Sequence, residues 1–194
     1  MVAVSDETVR GARKAWPPGV PPLAGEDHTC AGCGLSYPTL TIETARAIVG
    51  SLPGAVGAMV ERASARDLRR RLVPDRWSAL EYLFHLRDVC VTYTIRVHRA
   101  RTEDRPVLEP MLNDLRARRF RYNERSLEGV RDELAACAAG LGEEIGRLTP
   151  PDCERTVTRL AGEHRTARWL VRQAAHEVTH HLEDIRHCLT EAVP

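Results

Sequence analysis

The chain has 194 residues, a formal net charge of +1 at pH 7 and 43% hydrophobic residues. That length suffices for one domain with a buried core and an appended segment. The near-neutral charge, with Arg interleaved among Asp and Glu, gives no indication of a nucleic-acid or membrane-surface partner. No apolar run reaches the ~20 residues that span a bilayer, and residues 1–13 lack the apolar core of a signal peptide. We therefore expect a cytoplasmic protein.

The first forty residues differ in composition from the rest. They hold two Pro pairs, at 17–18 and 21–22, and the sequence CAGCG from Cys30 to Gly34. Such punctuation excludes a long helix. We predict an irregular segment over 1–40 and a helical domain over 41–194. The single lysine, beside abundant Arg and Ala, suggests a GC-rich, actinobacterial genome.

From residue 41 onward the pattern becomes helical, in runs over 41–63, 78–101, 126–148 and 166–189. Ser78 and Glu81 form a capping box at the second start, and Pro53 suggests that a helix restarts within the first run. The connection 102–125 is predicted to be partly helical around Asn113–Arg119. Since strand-like alternation is absent from the sequence, the expected fold is all-α, an antiparallel four-helix bundle.

The last run contains His176, Glu177, His180 and His181, which form two candidate ligand pairs at a spacing of four residues. That spacing places both members of either pair on one helix face. At ~100° per residue, Glu177 and His181 interrupt an apolar stripe. The stripe consists of Leu170, Ala174, Val178, Ile185 and Cys188. Because a buried carboxylate and imidazole need a partner or a metal ion, we favour Glu177 and His181, which could also simply bond each other across the core.

His176 and His180 share their direction with Gln173, Glu183 and His187, which predicts a solvent-facing side. Residues 176–180 match the zinc-protease pattern H-E-x-x-H, but the expected exposure argues against a metalloprotease. A third ligand must come from another helix. His85 shares its direction with Asp88, Thr92 and Arg96, a strip that lines a polar cavity or faces solvent; periodicity does not separate these cases.

Two sequence motifs resemble the DinB/YfiT-like superfamily. The sequence WSALEYLFHLRD over Trp77–Asp88 is similar to its second-helix motif, W-S-x-x-E-x-x-x-H-L-x-D, and EVTHHLEDI over Glu177–Ile185 is similar to its C-terminal ligand motif. The second motif is closest to the mycothiol-dependent maleylpyruvate isomerase branch. The resemblance implies a four-helix bundle that binds a divalent metal, zinc or nickel, through His85, Glu177 and His181. Other branches place His at position 177, so His180 and His176 are reserve ligands.

The resemblance also implies a small-molecule activity. Members with defined reactions use a low-molecular-weight thiol such as mycothiol, which becomes a nucleophilic thiolate on binding the metal. The expected function is therefore a thiol-dependent S-transferase or isomerase acting on an electrophilic small molecule, with Arg96 and Asp88 as catalytic or substrate-orienting candidates. A metal-dependent hydrolase or biosynthetic tailoring enzyme and a non-catalytic metal-binding stress protein are the alternatives. A homodimer is compatible with the apolar helices.

Cys30 and Cys33 have the spacing of half a zinc site, and the other four cysteines are single. Six cysteines without an export signal are expected to be reduced thiols or metal ligands. Three interpretations remain open for this pair: a second zinc completed by distant residues, with His28 as a further candidate ligand, a redox dithiol, or two thiols in a turn. Redox motifs of this spacing normally open a helix after a strand, and the following Leu35–Pro38 does not fit that pattern.

Overall fold

A computed structural model describes residues 22–160 and 162–191 of the chain. Within them lie seven α-helices, a single 3-10 turn at Tyr122–Glu124 and two short strands. The helices are α1 (Ile42–Val60), α2 (Ala65–Arg69), α3 (Ala79–Thr102), α4 (Asn113–Arg119), α5 (Leu127–Gly146), α6 (Pro150–Cys153) and α7 (Ala167–Thr190). The strands are β1 (Thr156–Thr158) and β2 (His164–Thr166). None of the described helices is long and apolar enough to cross a bilayer.

Each of the four long helices starts at a hydroxyl side chain that accepts a hydrogen bond from the first turn. These N-caps are Thr41, Ser78, Ser126 and Thr166. At Ser78 the predicted capping box is complete, because Glu81 also accepts from the Ser78 amide. The starts predicted at residues 78, 126 and 166 are confirmed, as is the helix over Asn113–Arg119. Local capping chemistry therefore fixes where the bundle helices begin.

The long helices form the predicted four-helix bundle. Helices α1 and α3 each pack against both α5 and α7, so α1 and α3 stand at opposite corners. The apolar face of α1 is Ala45, Val49, Leu52, Val56 and Val60. In α3, almost every residue from Ala79 to Cys90 is buried, including polar ones. Besides α5 and α7, helix α3 is covered by α2, α4 and the turn at Tyr122–Glu124.

Two local expectations are wrong. Pro53 lies inside an uninterrupted α1 and does not start a new helix, because the packing of the apolar face on both sides outweighs one lost backbone hydrogen bond. The second concerns the chain before α7, where no strand is expected. Thr156–Thr158 and His164–Thr166 pair there as an antiparallel hairpin, with Val157 opposite Arg165. Three-residue strands are too short to produce a detectable alternation in sequence.

The described part of the N-terminal segment, residues 22–40, contains no helix and packs on the first half of α7. Its backbone is held by side chains from the hairpin and α7: Trp169 Nε1 donates to the Gly25 carbonyl at 3.2 Å, and Arg172 Nε to the Leu40 carbonyl at 2.9 Å. In return Glu26 accepts from the amide of Thr166 at 2.7 Å. The Pro pair at 17–18 and residue 21 lie outside the described residues.

Candidate metal centre

Three predicted ligands meet between α3 and α7. Glu177 Oε2 lies 3.1 Å from Nε2 of His85 and 3.2 Å from Nε2 of His181. One ligand atom from each residue falls within 4.8 Å of the other two. The helices are adjacent in the bundle, and the four-residue spacing brings Glu177 and His181 to the same side of α7.

Neighbouring groups orient these side chains. Asp184 Oδ2 lies 2.8 Å from His181 Nδ1, so Nδ1 carries a proton and, in the neutral ring, Nε2 presents its lone pair to the centre. Gln173 Nε2 donates to the second oxygen of Glu177 at 2.7 Å. His85 is 3% exposed and packs against the ring of Trp77, with 5.1 Å between centroids. A hydrogen-bonded outer shell of this kind is typical of metal-binding histidines.

The electrostatics favour a positive charge at the centre. Burial would raise the pKa of Glu177, but the hydrogen bonds from His181 and His85 hold it well below its usual range. For His181, burial lowers the pKa, yet the hydrogen bonds to Asp184 and Glu177 raise it to about 9. The two carboxylates thus stabilise a proton on an imidazole between them. A divalent cation would take the place of that proton.

The donor set fits the metal that the sequence resemblance implies. Two imidazoles and one carboxylate are the protein ligands of many catalytic zinc sites, which leave a fourth position open. Nitrogen ligands also suit nickel. The structure brings together all three residues proposed as ligands, each with one nitrogen or oxygen atom within 4.8 Å of the other two.

A cavity of about 350 Å³ adjoins this centre, and Glu177 is part of its wall. Its polar lining includes Tyr93, Arg96 and Arg159, and its apolar lining includes Met111 and Leu112. Most of the remaining wall comes from the connection between α3 and α5. The cavity therefore places the ligand cluster beside a space lined by apolar side chains, by two arginines and by Asp114.

Arg96 and Asp88, the two catalytic candidates, have different surroundings. Arg96 lines the cavity, lies over the Tyr93 ring at 4.9 Å from its centroid and donates to the Glu109 carbonyl. Asp88 is buried but is not part of the described cavity wall. It accepts from Arg116 Nε at 2.8 Å and from the Tyr122 hydroxyl. Asp88 thus fastens the connection 103–125 onto α3, which places the cavity wall.

The reserve ligands His176 and His180 do not face the first centre; they contact the N-terminal segment. The expectation that their side faces solvent is wrong over residues 173–180, because residues 22–40 cover it. There His176 and His180 form a second cluster with Cys30 and Cys33. Beyond that cover, Glu183 and His187 are exposed as predicted.

Sequence reasoning missed Gln173, Tyr93 and Arg159. The helical pattern predicts that Gln173 lies on the solvent-facing side, but Gln173 is buried and hydrogen-bonds Glu177. Arg159 lies in the hairpin, which the periodicity did not reveal. Asp184 carried a usable signal, because a carboxylate three residues after His181 lies on the same helix face.

Comparisons with known proteins agree with this architecture. Among solved structures, YfiT from Bacillus subtilis, described as "a probable metal-dependent hydrolase with an unusual four-helix bundle topology", is similar with a TM-score of 0.70 and 16% sequence identity, covering 77% of this chain and 86% of that chain. At this identity the likeness concerns the fold. No match is found among curated proteins. The family model described as the DinB superfamily matches residues 53–185, more than half of the chain, and the chain therefore belongs to the DinB superfamily.

Proposed function

We propose that the chain is a metal-dependent enzyme that activates a small nucleophile, the sulfur of a low-molecular-weight thiol such as mycothiol, against an electrophilic small molecule. One observation supports this proposal above all: Glu177 is a member of the ligand cluster and also part of the cavity wall. A bound reactant can thus reach the centre from the cavity.

His85, Glu177 and His181 would hold a zinc or nickel ion. Such an ion lowers the pKa of a thiol or a water molecule that binds at its open position. Asp184 keeps the proton of His181 on Nδ1, and Gln173 holds Glu177 in place. These contacts limit the motion of the ligands, and this geometric control is what a precise reaction needs.

The cavity suits a substrate with an apolar body and an anionic group. Arg96 is 4% exposed and donates to the neutral carbonyl of Glu109, which leaves its charge uncompensated by that contact. Arg159 pairs with Glu163 at 3.0 Å. A carboxylate on the substrate would find the guanidinium of Arg96 at a buried position of the cavity wall, where such contacts are strong.

A hydrolase is the second candidate. The same centre can activate water, and the similar structure of YfiT is described as that of a probable metal-dependent hydrolase. The two candidates differ in the nucleophile alone. They share the ligands, the cavity and the preference for an anionic substrate.

The deciding experiment supplies zinc-loaded protein with mycothiol and a panel of electrophiles, each with and without a carboxylate. The proposal expects an S-conjugate or isomerised product that requires both thiol and metal, and a KM for carboxylated substrates that rises at least 10-fold in Arg96→Ala. Turnover without thiol, with label from isotopic water in the product, would instead establish the hydrolase. Lack of metal in the purified and reconstituted protein would contradict both candidates.

A further inference from the structure

A second cluster of ligand-type side chains lies on a neighbouring face of α7, about 100° around the helix from Glu177 and His181. Cys30, Cys33, His176 and His180 each place one sulfur or nitrogen atom within 4.8 Å of the other three. Two cysteines and two histidines are a set that structural zinc sites use. The cysteines come from the N-terminal segment and the histidines from α7, so the cluster joins parts of the chain about 150 residues apart.

Hydrogen bonds fix which nitrogen of His176 is free. Tyr37, which is fully buried, donates its hydroxyl proton to Gln173 Oε1 at 2.6 Å. Gln173 cannot be turned around, because its Nε2 donates to the carboxylate of Glu177. The Tyr37 oxygen can therefore only accept from His176 Nδ1, which lies 2.9 Å away. The proton of His176 is on Nδ1, and Nε2 carries a lone pair.

That lone pair has no partner among the described residues. His176 Nε2 is buried and accepts no hydrogen bond from them. Leaving a buried polar atom unpaired is unfavourable, and native structures contain few such atoms without a reason. A metal ion bound at Nε2 supplies the reason, since metal-bound histidines typically donate their other nitrogen to an oxygen acceptor.

The other histidine is held against the cysteines. His180 Nδ1 lies 3.5 Å from the Sγ of Cys30, a separation close to that between two ligands of one tetrahedral zinc ion with bonds of ~2.0–2.3 Å. A Cβ at Gly32 would come within 3.0 Å of His180 Cε1. The glycine between the two cysteines therefore lets their loop approach the imidazole.

The loop itself has the form of a metal-binding knuckle. Its ends are joined where the amide of Cys30 donates to the Leu35 carbonyl at 3.0 Å and the amide of Gly34 to the Cys30 carbonyl at 2.8 Å. Gly34 adopts a φ of +73°, which a glycine tolerates. The turn thus brings Cys30 Sγ and Cys33 Sγ within 4.8 Å of each other.

We propose that Cys30, Cys33, His176 and His180 bind a zinc ion in a closed tetrahedral site that fastens the N-terminal segment to α7. Two thiolates neutralise the dication, which suits a partly buried position. Four protein ligands leave no position for a reactant, so the ion is structural. His28 is not a ligand; its ring packs against Tyr37 and His176, at 5.3 Å from each.

The two metal sites are connected through hydrogen bonds. The path runs from His176 Nδ1 through the Tyr37 hydroxyl to Gln173, and from Gln173 to Glu177. A ligand of the structural site thus supports a ligand of the candidate catalytic site. The structural ion would act as a positioning element for the neighbouring centre.

The test begins with the metal content of the full chain purified without chelators. We expect two metal equivalents in the wild type and one in Cys30→Ala/Cys33→Ala. Loading with cobalt should produce a thiolate-to-metal charge-transfer absorption that this double variant lacks. Cys137→Ala, which removes a partly buried thiol on α5, is the matched control and should retain both equivalents and the absorption.

His85→Ala separates this proposal from the proposed function. It should lose the metal equivalent at the first centre and keep the charge-transfer absorption. If the double variant does not fold, the zinc-edge X-ray absorption spectrum of the wild type decides, with sulfur neighbours at ~2.3 Å expected. A spectrum with only nitrogen and oxygen neighbours, an absorption that persists without Cys30 and Cys33, or a disulfide between them would overturn the proposal.

Discussion

Two neighbouring faces of α7 carry candidate metal-ligand pairs of the same spacing but in different surroundings. Glu177 and His181 turn towards α3, where His85 and a cavity of about 350 Å³ lie. His176 and His180 turn towards residues 22–40, which cover them with two thiols. Both pairs follow the same helix geometry, so the spacing cannot determine their roles. The surroundings do: a cavity leaves room for a reactant, and four protein ligands do not.

The comparison predicts that the two sites can be emptied independently. His85→Ala removes the ligand that α3 supplies, and we expect loss of metal from the first site and a fall in activity greater than the ~10–100-fold typical of outer-shell changes. Metal content and turnover measure it. His187→Ala, an exposed histidine of the same helix α7 as Glu177, is the control. Full activity in His85→Ala would refute the assignment.

Asp184→Asn should have a smaller effect at the same site. The carboxylate accepts a hydrogen bond from His181 Nδ1, with 2.8 Å between Oδ2 and Nδ1. An asparagine amide can instead donate to Nδ1, which favours the tautomer with the proton on Nε2. We expect the metal affinity of the first site to fall ~10–100-fold, measured by competition with a chelator. Glu183→Gln, an exposed change one residue away, should leave the affinity unchanged. Equal effects of the two substitutions would contradict a specific role for Asp184.

Tyr37→Phe tests the other face. Loss of the hydroxyl leaves His176 Nδ1 and Gln173 Oε1 without the partner they share. We expect zinc affinity at the cysteine site to fall about 10-fold and the free energy of unfolding to fall by ~1–2 kcal/mol. Chelator competition and denaturant unfolding measure these changes. An unchanged zinc affinity would show that the hydroxyl does not set the His176 tautomer.

Glu144 lies in α5 and is not a residue of either site. Glu144→Gln therefore shows what a change in the free energy of unfolding does when no candidate ligand is altered. Burial would raise the pKa of Glu144, but hydrogen bonds and charge from Arg101 and Arg147 lower it. Its stabilisation is thus present above the pKa of the unfolded chain and is lost as pH falls through the lowered folded pKa. We expect a loss of ~1 kcal/mol at pH 7 that disappears in acid, with metal content unchanged. A pH-independent difference would contradict the ion-pair explanation.

The bundle and two of the three candidate ligands of the first site could be predicted from the residues themselves. Ser78, Ser126 and Thr166 mark helix starts through local hydrogen bonding, and Glu177 and His181 are conspicuous on an apolar stripe. His85 depended on the family resemblance. Its polar strip is covered by α7 at His85 and by the connection 103–125 at Asp88 and Arg96. Helical periodicity carries no information about such a cover.

The cluster of Cys30, Cys33, His176 and His180 shows a further limit of prediction from sequence. His176 and His180 were expected to face solvent, since their neighbours on the helical wheel are polar. The cover comes from residues 22–40, far away in the chain, and its position depends on tertiary contacts such as Trp169 with Gly25. Of the cysteine site, sequence could identify only the Cys30 and Cys33 half.

The most direct test of this account is anomalous diffraction at the metal absorption edge from crystals of the chain purified without chelators. The account predicts two peaks. One lies among His85 Nε2, Glu177 Oε2 and His181 Nε2, and the other lies among Cys30, Cys33, His176 and His180. A crystal without a peak between α3 and α7, or with its peak displaced to His180 and Asp184, would contradict the assignment of the catalytic centre.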